Sequence, residues 1–330
     1  MLSYVFRRII YMLILLWLVS IIAFVIIQLP PGDYLTSYIT RLQQRGQVVD
    51  ETEVATLTKQ YGLDQPMHVQ YLSWFGKALR GNFGMSFQWN RPVNQLLAER
   101  LPITVLISVL TIAFTYIVAV PAGIYSATHQ YSAGDYTFTV FGFVGLATPN
   151  FLLALILMLV FNRYLGISIG GLFSPEFLDA PWSFARFLDM LAHLPVPIIV
   201  IGTAGTAGLI RVMRGCLLDE LQKQYVVTAR SKGVRESRLL FRYPVRVALS
   251  PIVSTIGWLL PAVVSGEIIT AIVLDLPTVG GLLFGALMFQ DMYLAGSIVM
   301  MLTFLTILGT FISDVLLAVV DPRIRFERGA

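Results

Sequence analysis

The sequence predicts an all-α membrane protein of six transmembrane helices with both termini in the cytoplasm, and three observations point there. Hydrophobic residues make up 56% of the 330 positions and charged residues only 13%, with a mean hydropathy of +0.75. A chain so composed cannot hide its apolar surface from water by folding alone, so the bilayer is its solvent. Six apolar runs approach or exceed the ~20 residues needed to cross ~30 Å of hydrocarbon. The Lys and Arg residues also collect in segments that such a count places on one side of the membrane.

The first run, Ile9–Leu29, follows Arg7 and Arg8, which hold the N-terminus inside. It is too long for a signal-peptide core and has no small-residue cleavage site before Pro30-Pro31-Gly32. Residues 1–29 therefore form an N-terminal segment with the first span. Residues 30–101 are the largest polar region, with seven Lys/Arg against six Asp/Glu. Long loops translocate largely regardless of charge, so this one is expected outside. Within it, Tyr71–Leu79 has amphipathic helical spacing and Gly81 and Gly84 close the segment. A loop of this length with structure of its own suits the docking of a soluble partner.

The remaining residues, 102–330, hold five spans: Ile103–Ala127, Thr137–Asn162, Pro195–Val212, Ile252–Val273 and Ala295–Val320. Pro121 and Pro149 fall inside two of them and predict kinks. The fourth span carries Gly202, Gly205 and Gly208 among Thr203, Ala204, Thr206 and Ala207. Small residues at this density are expected to serve close helix packing, with a substrate groove as the alternative. The charge count agrees with this topology. Inside segments hold Arg7, Arg8, the nine basic residues of the 211–251 connector, and Arg323, Arg325 and Arg328, whereas the two shorter outside loops hold only Arg163 and Arg186.

The connector between the fourth and fifth spans is the most patterned polar stretch, with nine Lys/Arg against three Asp/Glu. Asp219 and Glu220 open a helical-looking run, Tyr225, Val226 and Ala229 fall at helical spacing, and Gly233 stops it. A second short helix is expected from Glu236 to Tyr243, broken by Pro244. Two short helices joined at a glycine make a surface that another protein can grip.

No catalytic constellation emerges. GxxxxGK[ST], GxSxG, HExxH and GxGxxG are all absent, so any ATP used must be bound by another chain. No residue group has metal-ligand spacing, and His68, His129 and His193 are scattered. The one cysteine, Cys216, excludes an internal disulfide and is expected to be a reduced thiol. The net charge of +4 reflects topology rather than a nucleic-acid surface. Glu267 and Asp314 lie in or near spans, where a carboxylate costs ~3 kcal/mol, and so are candidates for function or for an interhelix hydrogen bond. An ion-coupled secondary transporter or channel is the alternative; it would need ion sites on broken helices and often inverted repeats, and no convincing repeat joins the halves.

The whole chain resembles the dipeptide/oligopeptide-type permease subunit of bacterial ABC importers. The connector run Tyr225-Val226-Val227-Thr228-Ala229-Arg230-Ser231-Lys232-Gly233 is similar to that family's Glu-Ala-Ala loop. Val227 stands where the glutamate would be and Thr228 at the first alanine, while Ala229 and Gly233 match. Further landmarks follow in order: Pro31-Gly32-Asp33, Tyr61-Gly62-Leu63-Asp64-Gln65-Pro66, Gly81-Asn82-Phe83-Gly84-Met85-Ser86, Arg100-Leu101-Pro102, Leu276-Pro277-Thr278-Val279-Gly280 and Asp321-Pro322-Arg323. The resemblance implies a type I ABC importer permease fold whose connector is a coupling helix seated in a cleft of an ATPase subunit. Asp219, Glu220, Tyr225, Thr228, Ala229, Arg230, Lys232 and Gly233 would form that coupling loop, with Arg230, Lys232 and Arg235 facing acidic groups on the motor. The implied partners are a homologous second permease, two ATP-binding cassette subunits that carry ATP and Mg, and a solute-binding protein outside. Di- or oligopeptides are the implied cargo, with oligosaccharides, opines or nickel as alternatives.

Overall fold

Apolar runs that must satisfy their own backbone hydrogen bonds in lipid have little choice but the α-helix, and the computed structural model is built of helices. It describes residues 2–28, 58, 64–86, 88–178, 180–256, 259 and 268–320. In chain order these form α1 (Leu2–Gln28), α2 (Met67–Ala78), a hairpin of β1 (Met85–Ser86) and β2 (Arg91–Pro92), α3 (Val93–Thr128), α4 (Ala133–Ala147) and α5 (Asn150–Val160). There follow α6 (Phe184–His193), α7 (Pro195–Leu221), α8 (Gln224–Ser231), α9 (Glu236–Arg242), α10 (Pro244–Ser254), α11 (Ile268–Val273), α12 (Val279–Met288) and α13 (Met292–Val320). Three stretches are long and apolar enough to cross a membrane: Val93–Thr128, Phe184–Leu221 and Tyr293–Leu316. The α4–α5 pair makes a fourth if it counts as one broken span, and Ile9–Val25 is a shorter apolar helix.

Two units divide the chain. One comprises residues 2–104 and 278–304. Here α1 and α2 meet through Phe24, whose ring lies 5.8 Å from Trp74 and 5.5 Å from Tyr71, with Ser20 and Tyr71 sharing a 2.8 Å hydroxyl hydrogen bond. The hairpin pairs Met85 with Pro92 and Ser86 with Arg91. It is pinned by a buried carboxylate: Asp291 accepts from the Ser86 hydroxyl at 2.6 Å, from the Gln88 amide at 3.1 Å and from the Leu294 amide at 3.2 Å. One side chain thus caps the start of α13 and anchors the hairpin. Gly84, at φ +90°, passes 3.2 Å (from its would-be Cβ) below the Tyr293 ring, a position open only to glycine.

The other unit, residues 105–277 with 305–330, is built on α7. Ala119 and Ala127 of α3, Leu209, Met213 and Leu217 of α7, and Val245, Ala248 and Ile252 of α10 form one buried cluster. Where α3 touches α7, a Cβ on Gly123 would lie 2.6 Å from that of Met213, so the helices meet backbone to side chain. The Tyr116 hydroxyl donates to the Ile252 carbonyl at 2.9 Å and lies 2.6 Å from the Thr255 hydroxyl. The Ser313 hydroxyl of α13 reaches the Val253 and Ser254 carbonyls at 3.2 and 3.3 Å.

The two interior prolines of the early spans behave differently. α3 continues through Pro121 without interruption. At Pro149 the expected kink is a break: α4 and α5 diverge by 103°. Proline forces the preceding residue out of the helical region, and Thr148 accordingly takes φ −93°, ψ 117°. Pro149 then opens α5, its carbonyl accepting from Leu152 and Leu153.

Candidate functional site

The connector expected to couple to a partner is built from the end of α7 through α10. Asp219 and Glu220 do not open its helix; they belong to the last turn of α7, which runs to Leu221. The chain then turns extended at Lys223 (φ −71°, ψ 146°) before α8 begins. The sequence offers no proline or glycine at this joint, which is why the boundary was not visible.

α8 ends as the glycine requires. Lys232 is its C-cap, Gly233 follows at φ +74°, the Gly233 amide bonds the Arg230 carbonyl at 3.0 Å, and the Val234 amide bonds that of Ala229 at 3.3 Å. This pair of 5→2 and 6→1 bonds is a Schellman motif. A Cβ on Gly233 would meet nothing within 4 Å, so glycine is selected here by backbone conformation and not by lack of space. The next helix, α9, stops at Tyr243, and Pro244 takes the first position of α10 rather than simply breaking the chain.

One side chain of each helix is fully buried, Val226 of α8 and Leu239 of α9. Ala229, three residues after Val226, is half-buried. Its smallness therefore serves the chain's own packing at least as much as the outer surface. The outward positions are Tyr225, Val227, Thr228, Ser231 and Lys232, with Phe241 (62% exposed) and Val247 (47%) on the following helices. Exposed apolar groups of this kind face either a partner protein or the membrane.

The charged groups are partly spoken for within the chain. Arg230 grips Glu236 with Nε to Oε1 at 2.5 Å and Nη2 to Oε2 at 3.2 Å, bridging the end of α8 to the start of α9. That hydrogen bond holds the Glu236 carboxyl below its ordinary range and raises the guanidinium. Tyr225 donates its hydroxyl to Glu220; burial first, then this carboxylate, push the phenol up from its usual value near 10, so it stays a donor. Lys232 and Arg235 are exposed. Asp314 is half-buried on α13, apart from the connector in sequence, and Glu267 lies outside the described residues. Of the nine basic residues of the connector, Arg230, Lys232, Arg235, Arg238 and Arg242 lie exposed on or between α8 and α9, which makes that pair mostly cationic, whereas Arg211 and Arg214 stand on α7.

The sequence analysis did not single out the pair Asp135 and Arg214. Asp135 is 5% exposed and binds Arg214 through both carboxylate oxygens, Nε to Oδ1 and Nη2 to Oδ2, each at 3.1 Å. It also accepts from the Tyr131 amide at 3.0 Å, while its own amide bonds the Ser132 hydroxyl at 3.2 Å. The Ser132-x-x-Asp135 spacing was the available signal: it has the pattern of a capping box, of which the Ser132 hydroxyl makes its half while the Asp135 carboxylate takes the Tyr131 amide instead of that of Ser132. The glycine-rich face of α7 also divides. A Cβ on Gly202 would lie 2.8 Å from the Phe114 ring, which is close packing, whereas one on Gly208 would meet nothing within 4 Å. Gly205 and Gly208 instead border a cavity of about 360 Å³ with Thr111, Thr115, Asn150 and Thr255, and no lining side chain is charged.

Comparison with known proteins then decides what this scaffold is. Residues 119–326 match the family described as binding-protein-dependent transport system inner membrane component, and residues 1–111 match the N-terminal region of the same kind of component. The chain belongs to this family. It is 33% identical to the oligopeptide transport system permease protein AppB of Bacillus subtilis, covering 99% of this chain and 100% of that one. Its identity to the oligopeptide transport system permease protein OppB of Haemophilus influenzae is 30%, with the same coverage. With the inner membrane ABC transporter permease protein YejB of Escherichia coli O157:H7 it shares 27% identity over 98% of this chain and 99% of that one. It is thus a multi-pass inner-membrane component of a binding-protein-dependent transport system, and the α8–α9 pair lies inside the matched region.

Proposed function

We propose that this chain is one permease subunit of an ATP-driven importer of di- or oligopeptides. Six helices cross the membrane, both termini lie in the cytoplasm, and residues 30–101 face outside, where a solute-binding protein delivers cargo. A homologous second permease completes the pathway, and two ATPase subunits, which carry ATP and Mg, dock from inside. The peptide assignment rests on the names of the full-length relatives. The docking assignment rests on one observation above the others: α8 ends in a Schellman motif at Gly233 and exposes Tyr225, Val227, Thr228 and Lys232 on a pair whose Val226 and Leu239 are fully buried.

The geometry suits force transmission. α9 passes into α10 at Tyr243-Pro244 with no intervening loop, and α10 packs on α7 through the Met213–Val245–Ile252 cluster. Displacement of the connector by closing ATPases is therefore passed to helices and is not absorbed by slack chain, which biases the spans between inward- and outward-open states. The test is capture of the tagged chain from gently solubilised membranes with every bound protein identified. ATPase subunits and a second permease are expected in the eluate. Cargo uptake by the chain alone, with no nucleotide-hydrolysing companion, overturns the reading in favour of a secondary carrier.

A further inference from the structure

A groove of about 270 Å³ opens between α4 and α7, lined by Phe138, Thr139 and Phe143 on one helix and Ile210, Arg211 and Arg214 on the other, with Gly142 and Ala207 at its floor. The helices close tightly beyond it, where a Cβ on Gly145 would lie 2.9 Å from the Thr203 methyl. The two arginines at the groove differ in their partners. Arg214 is neutralised by the bidentate pair with Asp135. Arg211 is exposed, its guanidinium carbon stands 4.8 Å from the centre of the Phe143 ring, and it has no hydrogen bond or ion pair among the described residues. The groove therefore carries one uncompensated positive charge, oriented by an aromatic face.

Its surroundings are apolar. Val140, Phe141, Phe143 and Val144 of α4 are 59%, 71%, 57% and 56% exposed, so the groove continues into a greasy helix face. Arg211 also stands where the apolar run of α7 gives way to polar residues, at headgroup depth on the cytoplasmic side in the topology of the proposed function, on which this inference rests. A fork of N–H donors at that depth, next to an exposed apolar helix face, matches an amphiphile with an anionic phosphate head. A soluble phosphate would use the arginine and leave the apolar wall in contact with water.

We propose that the α4–α7 groove is a binding site for an anionic phospholipid of the cytoplasmic leaflet, with Arg211 holding the head-group phosphate and the exposed face of α4 holding the acyl chains. The site ties a lipid to the helix that leads directly into the coupling connector.

The test uses the full-length chain, with whatever subunits co-purify, in nanodiscs of mixed phosphatidylcholine and phosphatidylglycerol, transferred to native mass spectrometry. Wild type is expected to retain phosphatidylglycerol several-fold more often than Arg211→Gln, with Arg211→Lys in between and phosphatidylcholine retention unchanged. Phe143→Leu, which keeps every charge, is expected to lower retention as well and serves should the glutamine variant fold poorly. Excess inorganic phosphate should not displace the lipid. Equal retention by wild type, Arg211→Gln and Phe143→Leu overturns the proposal. So does displacement by inorganic phosphate, which would make the site one for a soluble anion. So does loss of the second permease from Arg211→Gln with lipid retention intact, which would make it a subunit contact. The lipid count is read whether or not ATPases co-purify, so failure of the importer reading registers separately.

Discussion

Gly233 shows how a single residue can be required for its backbone alone. With nothing within 4 Å of a would-be Cβ, substitution at this position tests conformation with sterics held aside. A left-handed residue other than glycine costs ~1–2 kcal/mol, more for a β-branched one, while asparagine tolerates it. Gly233→Val is therefore expected to unravel the end of α8 and to cut ATPase co-purification several-fold, and Gly233→Asn to keep most of it; equal capture by the two variants would count against the Schellman stop as the requirement. Asp135 gives a second case, in which the cost is electrostatic. Its removal strands Arg214, whose side chain is only 31% exposed. Breaking a fully buried pair costs ~3–5 kcal/mol, so Asp135→Ala should cost about 2–3 kcal/mol here. A lower apparent melting temperature in detergent would register it, and adding Arg214→Met should restore most of the loss because no unpaired charge then remains.

At the scale of elements, α8 and α9 are held together by an exposed clamp, and its pH response has a definite sign. Glu236 is held below its ordinary range by Arg230. A depressed carboxyl contributes above its unfolded value of about 4.3 and loses that contribution as pH falls through the folded value. The clamp is thus expected to stay closed across the neutral range and to open only under acid below the ordinary glutamate range. Carbon-13 NMR of the labelled Glu236 carboxyl should show the low midpoint, and Arg230→Gln should return it to the ordinary range. The α7 face makes a different prediction. Gly208 borders the 360 Å³ cavity and has free space around it, so Gly208→Leu should fold and capture ATPase normally while peptide uptake falls, if cargo passes this way. Unchanged uptake of bulky and small peptides alike would leave the cavity without a part in transport. These two faces also mark what was legible in the sequence. The stop at Gly233, the amphipathic stretch Tyr71–Leu79 and the long apolar helices within Val93–Thr128, Phe184–Leu221 and Tyr293–Leu316 could be read because each depends on local chemistry. The reassignment of Asp219 and Glu220 to α7, the Arg230–Glu236 clamp and the split of the glycine face depend on which side chain meets which across helices, and periodicity carries no such information.

For the whole molecule, hydropathy carried the helical membrane class, because the bilayer permits few alternatives once the backbone must satisfy itself. Long-range ties such as Asp135–Arg214 and Ser86–Asp291 were invisible, each joining residues 79 and 205 positions apart. The break at Pro149 leaves the topology resting on one element. If α4 and α5, bent by 103°, dip into the membrane and return, every later segment changes sides; if they cross as one broken span, Arg163 and Arg186 lie outside and the nine basic residues of the connector inside. The positive-inside bias favours crossing, since the re-entrant arrangement would place that connector outside. Cys216 is the sole cysteine, so Cys216→Ser gives a clean background for single reporters at exposed positions. Lys77→Cys and Tyr164→Cys are expected to react with an impermeant maleimide on intact spheroplasts, and Gln130→Cys and Lys232→Cys only after permeabilisation. Reaction of Gln130→Cys and Tyr164→Cys from the same side would make the bent pair re-entrant, and reaction of Lys232→Cys from outside would remove the α8–α9 pair from the reach of any cytoplasmic motor.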